Sequence, residues 1–353
     1  AEEKKYLDLY KNSVAYRNLA LRSGVIDQSP EVVSRNAAAK KQLEQLYSHS
    51  LLKKSNSART LSSKKYFYNL YYKRSLLHRK WNEKSCRILG EWVNYLEEKQ
   101  HFMRNFPELY LRSLSRLLGA YDFTGKQPEA EATYDKSKKY FLALPQRQMT
   151  KTIQQAFLTI ITNYTGGQLY FIKPEKAVQA YSFLSQNISP DILNSELSIV
   201  LFINLSWSHF LLGQYRDALS FVNKIIAYKT NFRTDVQADA RLFVLIVQYE
   251  LKKHDLMPYL TRASERWLEK NSYAPKNFDK ALIEFFKYKL PKITSAKEEK
   301  KALEDMLLQA KHAKRGFSIL YKEFDFESWL ESKIYGRPML EVLKKRKFEN
   351  IPV

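Results

Sequence analysis

The sequence contains little glycine and proline, the two residues that are most typical of tight turns. Its 353 residues include 9 Gly and 11 Pro, whereas ordinary usage would give about 25 and about 18 in a chain of this length. Few tight turns mean long uninterrupted elements, so the composition argues against a β-sandwich, a β-barrel or a glycine-rich nucleotide-binding fold. It predicts an all-α protein that is long enough to bury a sizeable core.

Cysteine and long apolar runs are also scarce. Cys86 is the only cysteine, which excludes an intrachain disulfide and a thiolate metal cluster and suits a reducing compartment. The longest apolar runs, 199–203 and 242–247, are far shorter than the ~18 to 20 residues of a membrane span. We therefore expect a cytoplasmic protein without an integral membrane segment. Since the chain begins with Ala1 rather than Met, a removed leader remains an open alternative.

The signatures of common enzymes are absent from the sequence. Its six histidines are scattered, with no pair at i, i+4 and no glutamate in zincin spacing. Gly166-Gly167 precedes no Lys-Ser/Thr pair and indicates a helix end, while Ser328 lacks the flanking glycines of a nucleophile elbow. We expect no enzymatic activity, no catalytic residue, no metal site and no cofactor.

Helix starts are marked by proline followed directly by an acidic residue. Proline suits the first helical position because its missing N–H has no partner there, and the helix dipole favours an acid in the first turn. The pairs are Pro30-Glu31, Pro107-Glu108, Pro128-Glu129, Pro174-Glu175 and Pro190-Asp191.

From about residue 150 onward, two kinds of helix alternate in the hydrophobic pattern. Segments 197–212 and 242–251 are apolar nearly all round, and each is followed by a short break and a one-sided apolar stripe. Ala177, Ala218 and Tyr259 occupy corresponding positions, spaced by 41 residues. A helix pair repeated at roughly 40 residues is typical of an α-solenoid.

The junction from Gly213 to Ala218, Gly-Gln-Tyr-Arg-Asp-Ala, resembles the Gly-x-Tyr-x-x-Ala junction of tetratricopeptide repeats. The resemblance extends over about 105–290, where the other repeats keep only the periodicity. It implies a right-handed α-solenoid of degenerate antiparallel helix pairs. We predict basic, aromatic-rich helices over 1–104 that continue into the repeats of 105–290, and a helical cap with a basic tail over 291–353. The segment Phe326–Lys333 is similar to the tail of bacterial proteins with such degenerate repeats, which implies no activity.

The resemblance also implies a concave groove, lined by the first helix of each pair, that holds a peptide or a partner helix. In the family, asparagine and basic residues in that groove bind the peptide backbone or an acidic terminus. The groove candidates in this frame are Asn163, Asn204, Arg112, Arg116 and Arg241. We therefore expect a non-enzymatic scaffold or adaptor for a protein or peptide, and the positive charge of the chain suits an acidic partner. The alternative for these side chains is ordinary helix-surface polarity.

Basic residues outnumber acidic ones, at 59 Lys+Arg against 37 Asp+Glu and a net charge of +22. Such an excess attracts polyanions, although repulsion between molecules that keeps the protein from aggregating is the simpler explanation. The excess is sharpest over 35–87, which holds fourteen Lys/Arg and two acids with Tyr, Phe and Trp between them.

Basic and aromatic side chains together are what single-stranded nucleic acid binds. The alternative function is therefore RNA or DNA binding by 35–87, with the polyanion candidates Lys64, Lys65, Lys73, Arg74, Arg79 and Lys80. The competing interpretation of the same segment is an amphipathic helix, because Phe67, Leu70 and Tyr71 recur at helical spacing. Its aromatic rings then belong to the core and its charges are solvated.

Overall fold

The computed structural model describes residues 2–26, 37–78, 80–229, 232–273, 277–312 and 325–349. Over these ranges it contains eighteen α-helices with short 3-10 and π segments, and no strand. The prediction of an all-α protein is confirmed. The chain forms two compact units, 1–160 and 161–353. The three-part division made from the sequence stays a prediction.

In unit 1, helix α6 packs against α4, α5 and α7, and α3 packs against α1, α2 and α4. The last helix of this unit continues into unit 2. The helices are α1 (Glu2–Ile26), α2 (Ala37–Tyr47), α3 (Leu61–His78), α4 (Glu83–Glu98), α5 (Gln100–Asn105), α6 (Pro107–Phe123), α7 (Gln127–Leu142) and α8 (Lys151–Tyr170).

The core of unit 1 is rich in aromatic rings. Tyr68 stacks on Trp92 with ring centroids 4.9 Å apart, and Phe67 lies edge-on to the ring of Tyr16 at 6.4 Å. The Tyr16 hydroxyl donates to the carbonyl of Leu51 at 2.6 Å, and burial raises the pKa of Tyr16 to about 12. Tyrosine can fill a core in this way because its hydroxyl finds a partner at the core boundary.

In unit 2, neighbouring helices along the chain pack on one another, most closely α11 on α12 and α12 on α13. Between α15 and α16, the π segment Phe285–Lys289 and a 3-10 turn interrupt the α-helical pattern. The helices are α9 (Pro174–Asn187), α10 (Pro190–Leu193), α11 (Ile199–Leu211), α12 (Tyr215–Ala227), α13 (Thr234–Glu250), α14 (Met257–Lys270), α15 (Asn277–Glu284), α16 (Ala296–His312), α17 (Phe326–Tyr335) and α18 (Met339–Glu349).

The two kinds of helix seen in the sequence differ in burial. Helix α11 is buried on all sides, whereas α12 buries only one face, made by Ala218, Phe221, Val222 and Ile225. A helix that is surrounded by neighbours needs apolar residues all round, whereas an outer helix needs only one apolar stripe. The distribution of apolar residues along each helix therefore indicates whether that helix is central or peripheral. This prediction is confirmed for α11 and α12.

One turn recurs after α6, α8, α11 and α13, and the same turn also ends α14 at Ser272 and α17 at Gly336. Gly125, Ile172, Gly213 and Lys252 each adopt a positive φ, between 56° and 74°. In each turn, the N–H of the following residue donates to the carbonyl five positions before it, at 2.8 to 3.0 Å. This is the Schellman arrangement that ends a helix. Ile172 and Lys252 lack the glycine that a positive φ favours, so among these four turns the sequence marks only those at Gly125 and Gly213.

Four of the five predicted helix starts are confirmed. Pro107, Pro128, Pro174 and Pro190 lie in the first turns of α6, α7, α9 and α10. The fifth pair, Pro30-Glu31, lies outside the described residues. Proline followed by an acid therefore marks the start of α6, the helix that carries Arg112 and Arg116.

The C-terminal tail motif has a structural role. On α17, the Trp329 Nε1 donates to Glu250 Oε1 at 2.7 Å, and the Lys333 Nζ donates to Glu250 Oε2 at 2.9 Å. Glu250 ends α13, so these two bonds tie α17 to that helix. One basic residue of the tail, Arg346, is committed to the carboxylates of Asp325, Glu327 and Glu331.

Candidate functional site

Basic side chains of α3 and α6 meet on one surface of unit 1. Lys65, Asn69 and Lys73 follow one another at intervals of four residues along α3, so they lie on one face of that helix. Arg112 and Arg116 are one turn apart on α6. The Arg116 Nη2 donates to Asn69 Oδ1 at 2.9 Å, which joins the two helices. We call these five residues the α3–α6 surface.

Arg116 has an unusual environment for a cation. Its side chain is half-buried, and among the described residues no carboxylate lies within 4.0 Å of its guanidinium. Loss of hydration lowers the pKa of Arg116 to about 10, and the positive charge of Arg112 acts in the same direction. The guanidinium is nevertheless charged at neutral pH. It is oriented by an amide and not neutralised by an acid.

Arg112 is paired and differs from Arg116 in this respect. Its Nε lies 2.6 Å from Glu108 Oε1, one helical turn before it, and the side chains are 41% and 42% exposed. An exposed i, i+4 pair contributes only a few tenths of a kcal/mol, so a competing anion can exchange with Glu108 at small cost.

A buried carboxyl lies at the end of α6. Asp122 is buried, and its Oδ1 has no hydrogen-bond partner among the described residues. Desolvation raises the pKa of Asp122 to about 8, so this carboxyl is mostly protonated at pH 7. Tyr72 lies within electrostatic range of both Arg116 and Asp122, and burial raises the pKa of its hydroxyl. Asp122 therefore does little to offset the charge of Arg116 at neutral pH.

The polyanion candidates do not share one environment. Lys65, Arg74 and Lys80 are exposed, while Lys64 and Lys73 are half-buried. The Lys64 Nζ lies 5.2 Å from the ring centroid of Tyr95, and Arg79 lies outside the described residues. These cations do not form one continuous patch on a single helix face.

The aromatic rings of α3 point mainly inward. Phe67 and Tyr68 are buried, while Tyr66, Tyr71 and Tyr72 are partly buried and pack against the same core. The interpretation that rings of this segment belong to the core is confirmed for Phe67, and the half-buried Tyr71 packs against the same core. Its cations remain accessible, but its rings offer little free surface for stacking on bases.

Asn204 is not the exposed groove residue that the sequence suggested. It is only 3% exposed, and its Nδ2 donates to the Thr162 carbonyl and to Thr165 Oγ1, both at 3.1 Å. The predicted exposure is wrong because α11 is buried on all sides, so every phase of that helix faces a neighbour. Asn163, on α8, is half-buried.

Arg241 is also buried, at 8% exposure, and its predicted exposure is wrong. Its Nη1 donates to the Gln237 carbonyl at 3.0 Å, its Nη2 to the Ile226 carbonyl at 3.3 Å, and the guanidinium carbon lies 3.9 Å from the ring centroid of Trp267. Ile226 lies in the last turn of α12, where the helix dipole favours a cation. Arg241 therefore binds α12, α13 and α14 together.

Sequence reasoning missed Asn69 as a member of the α3–α6 surface, and it missed Tyr72, which lies within electrostatic range of Arg116 and Asp122. The four-residue spacing of Lys65, Asn69 and Lys73 is the one signal that was present. Within the described ranges, no group of His, Cys, Asp or Glu side chains could hold a metal ion. The α3–α6 surface offers hydrogen-bond donors and positive charge, which bind anions.

No family model, curated protein or solved structure matches this chain. Among the described helices, none is both long and apolar enough to cross a membrane. Any statement about partners therefore depends on the geometry of the chain itself.

Proposed function

We propose that the protein is a non-enzymatic scaffold that binds an acidic segment of a partner protein on the α3–α6 surface. Arg116 carries the proposal, since it is a half-buried guanidinium that Asn69 orients and no described carboxylate neutralises. A planar guanidinium in such a position binds a carboxylate through two parallel hydrogen bonds. The exposed Lys65 and the half-buried Lys73 extend the positive surface along α3.

A tetratricopeptide-like, right-handed array of helix pairs is the architecture we propose for this scaffold. The positive-φ turns at 125, 172, 213 and 252 support it, since they follow one another in steps of 47, 41 and 39 residues; the further turns of this kind at 272 and 336 lie outside that spacing. The contrast between α11 and α12 supports it as well. Stacked helix pairs offer a long, preformed surface to an extended segment. The lone cysteine, Cys86, is buried, and the proposal places the protein in the reducing cytoplasm.

An acidic protein segment suits this surface better than single-stranded nucleic acid. Nucleic acid needs rings free for stacking, and the rings of α3 pack into the core. Carboxylates need only positioned donors and cations, which Arg116, Asn69 and Lys65 supply.

The test is a titration of the protein into a fluorescently labelled peptide of alternating Asp and Glu, followed by anisotropy. Arg116→Gln removes the anchoring guanidinium, and we expect binding to weaken about tenfold, or roughly 1.4 kcal/mol. Arg116→Lys keeps the charge but loses the two-pronged geometry, so its affinity is expected to lie between the two.

The matched control is Arg87→Gln, which removes the same charge from a side chain that is 71% exposed on α4. Its effect is expected to stay within about twofold. Equal losses in Arg116→Gln and Arg87→Gln would show that only the overall field attracts the peptide, and the proposal would fail. Thermal melts of each variant separate lost binding from lost folding.

A further inference from the structure

Helix α14 presents a basic and aromatic stripe on its outer face. Tyr259, Arg262, Arg266 and Lys270 follow at intervals of three or four residues and are all exposed, so they line one side of the helix over about 16 Å. The opposite side of α14 is buried and consists of Met257, Thr261, Ser264 and Leu268.

Tyr259 is open to solvent, with 66% of its surface exposed. The guanidinium carbon of Arg262 lies 5.2 Å from its ring centroid. Backbone carbonyls hold the two arginine stems along the helix, since the Arg262 Nε donates to Pro258 and the Arg266 Nε donates to Arg262. Within the described ranges, neither guanidinium has a carboxylate within 4.0 Å. One face of α14 thus carries an exposed tyrosine ring and two arginines that no described carboxylate neutralises.

A second exposed ring lies on an element packed against α14. Tyr288, in the π segment, is 54% exposed, and the Lys287 Nζ lies 5.1 Å from its ring centroid. The same ammonium is 2.7 Å from Glu265 Oε2 on α14, so Tyr288 is held near that helix. The ion pair between Lys287 and Glu265 also neutralises Glu265. Glu269, the other acidic residue on the outer half of α14, is exposed.

We propose that the outer face of α14, together with Tyr288, binds single-stranded nucleic acid. Arg262, Arg266 and Lys270 contact successive phosphates, and the two tyrosine rings stack on unpaired bases. Single-strand binding combines these two elements, a row of cations and exposed aromatic rings. The surface lies in unit 2, and it is separate from the acidic-segment site proposed for α3 and α6 in both location and partner chemistry.

The exposed rings of Tyr259 and Tyr288 favour a partner with unpaired bases over an acidic protein. A carboxylate can only accept a hydrogen bond from the tyrosine hydroxyl, whereas every base has a face that stacks on the ring itself. A duplex satisfies the cations but keeps its bases paired and stacked within the helix. The net charge of +22 speeds encounter with any polyanion, so the rings provide the discrimination.

The test uses a fluorescein-labelled oligouridylate of about twelve nucleotides, titrated by anisotropy at about 50 mM and 200 mM salt. Tyr259→Ala is expected to weaken binding about 5- to 100-fold without changing the salt dependence. The double variant Arg262→Gln/Arg266→Gln is expected to weaken binding and to reduce the log–log salt slope by about 1.4, at roughly 0.7 per phosphate contact.

The matched control is Lys139→Gln/Lys151→Gln, which removes the same charge from exposed side chains of α7 and α8 that belong to neither proposed surface, and it is expected to leave the slope nearly unchanged. All the altered side chains of α14 are exposed, so circular dichroism and thermal melts should match the wild type. Equal losses in the two double variants, an unchanged affinity of Tyr259→Ala, or equal binding of a duplex of the same length would each overturn the proposal. Loss of acidic-peptide binding in Arg116→Gln leaves these results untouched, so the two proposals fail separately.

Discussion

Helices α3 and α14 both combine tyrosine with basic residues, but α3 packs its rings into the core, whereas α14 exposes its tyrosine together with its cations. In α3, Tyr68 is 4% exposed, while in α14, Tyr259 is 66% exposed. Helix α3 packs against α1, α2 and α4, so much of its circumference is covered. Composition therefore tells which partners a segment could attract, and the phase of the helix relative to its neighbours decides which side chains are left to bind them.

The largest expected difference between the two helices is the loss of stability when a tyrosine is replaced, because Tyr68 is buried and Tyr259 is exposed. Tyr68→Ala removes a ring stacked on Trp92 at 4.9 Å, and we expect a loss of about 3 to 5 kcal/mol in the free energy of unfolding. Tyr259→Ala removes an exposed ring and is expected to change it by less than about 0.5 kcal/mol. Urea denaturation followed by circular dichroism measures both. Similar losses in the two variants would mean that Tyr259 is a core residue.

Buried and exposed arginines on neighbouring helices give the next comparison. Arg241→Ala loses the contact with Trp267 and the bonds to two carbonyls, so we expect a loss of about 2 to 3 kcal/mol. Arg262→Ala, on the outer face of α14, is expected to cost less than about 0.5 kcal/mol. The same urea titrations test this, and a stable Arg241→Ala protein would restore the sequence-based view of Arg241 as a surface residue.

Helix α6 ends near the buried carboxyl of Asp122, whose Oδ1 has no hydrogen-bond partner among the described residues. The acids of α14 differ, since Glu265 is paired with Lys287 and Glu269 is exposed. The pKa of Asp122 is raised to about 8 from an ordinary value near 3.9, so between these values the folded protein holds a proton that the unfolded chain has released. The contribution of Asp122 to the free energy of unfolding therefore falls as pH rises from about 4 to about 8, by at most about 1.4 kcal/mol per pH unit, and is constant above that range.

Asp122→Asn removes this titration, and we expect its stability relative to wild type to rise between pH 5 and pH 8. Urea midpoints at several pH values measure the difference. Asp135→Asn, which removes an exposed carboxyl from α7, serves as the control and is expected to follow the wild-type profile. Parallel profiles for Asp122→Asn and wild type would show that Asp122 is ionised in the folded protein throughout this range.

Local patterns predicted the fold better than the site. Apolar periodicity correctly separated α11 from α12, and proline with an acid correctly marked helix starts, because both signals lie within one segment of chain. The exposure of Asn204 and Arg241 was predicted wrongly, since a helix that is covered on all sides has no exposed face to assign. The bond between Arg116 and Asn69 joins residues 47 positions apart, and nothing in either segment alone reveals it.

The turn between α13 and α14 gives the smallest expected effect. Lys252 adopts a φ of 56° and Gly213 a φ of 71° in equivalent turns, yet only glycine adopts such angles without strain from a Cβ atom. Lys252 is exposed, so Lys252→Gly removes the strain without removing packing. Glycine also loses more backbone entropy on folding, which offsets part of the gain.

We expect a net gain of about 0.5 to 1 kcal/mol for Lys252→Gly, and a loss of about 1 kcal/mol for Gly213→Ala. A Cβ atom at Gly213 meets no other atom within 4 Å, so that loss reports backbone strain alone. Thermal melts resolve the pair as shifts of opposite sign, each of about 2 to 4 °C at most. A destabilised Lys252→Gly protein would contradict the positive φ of Lys252 at this turn.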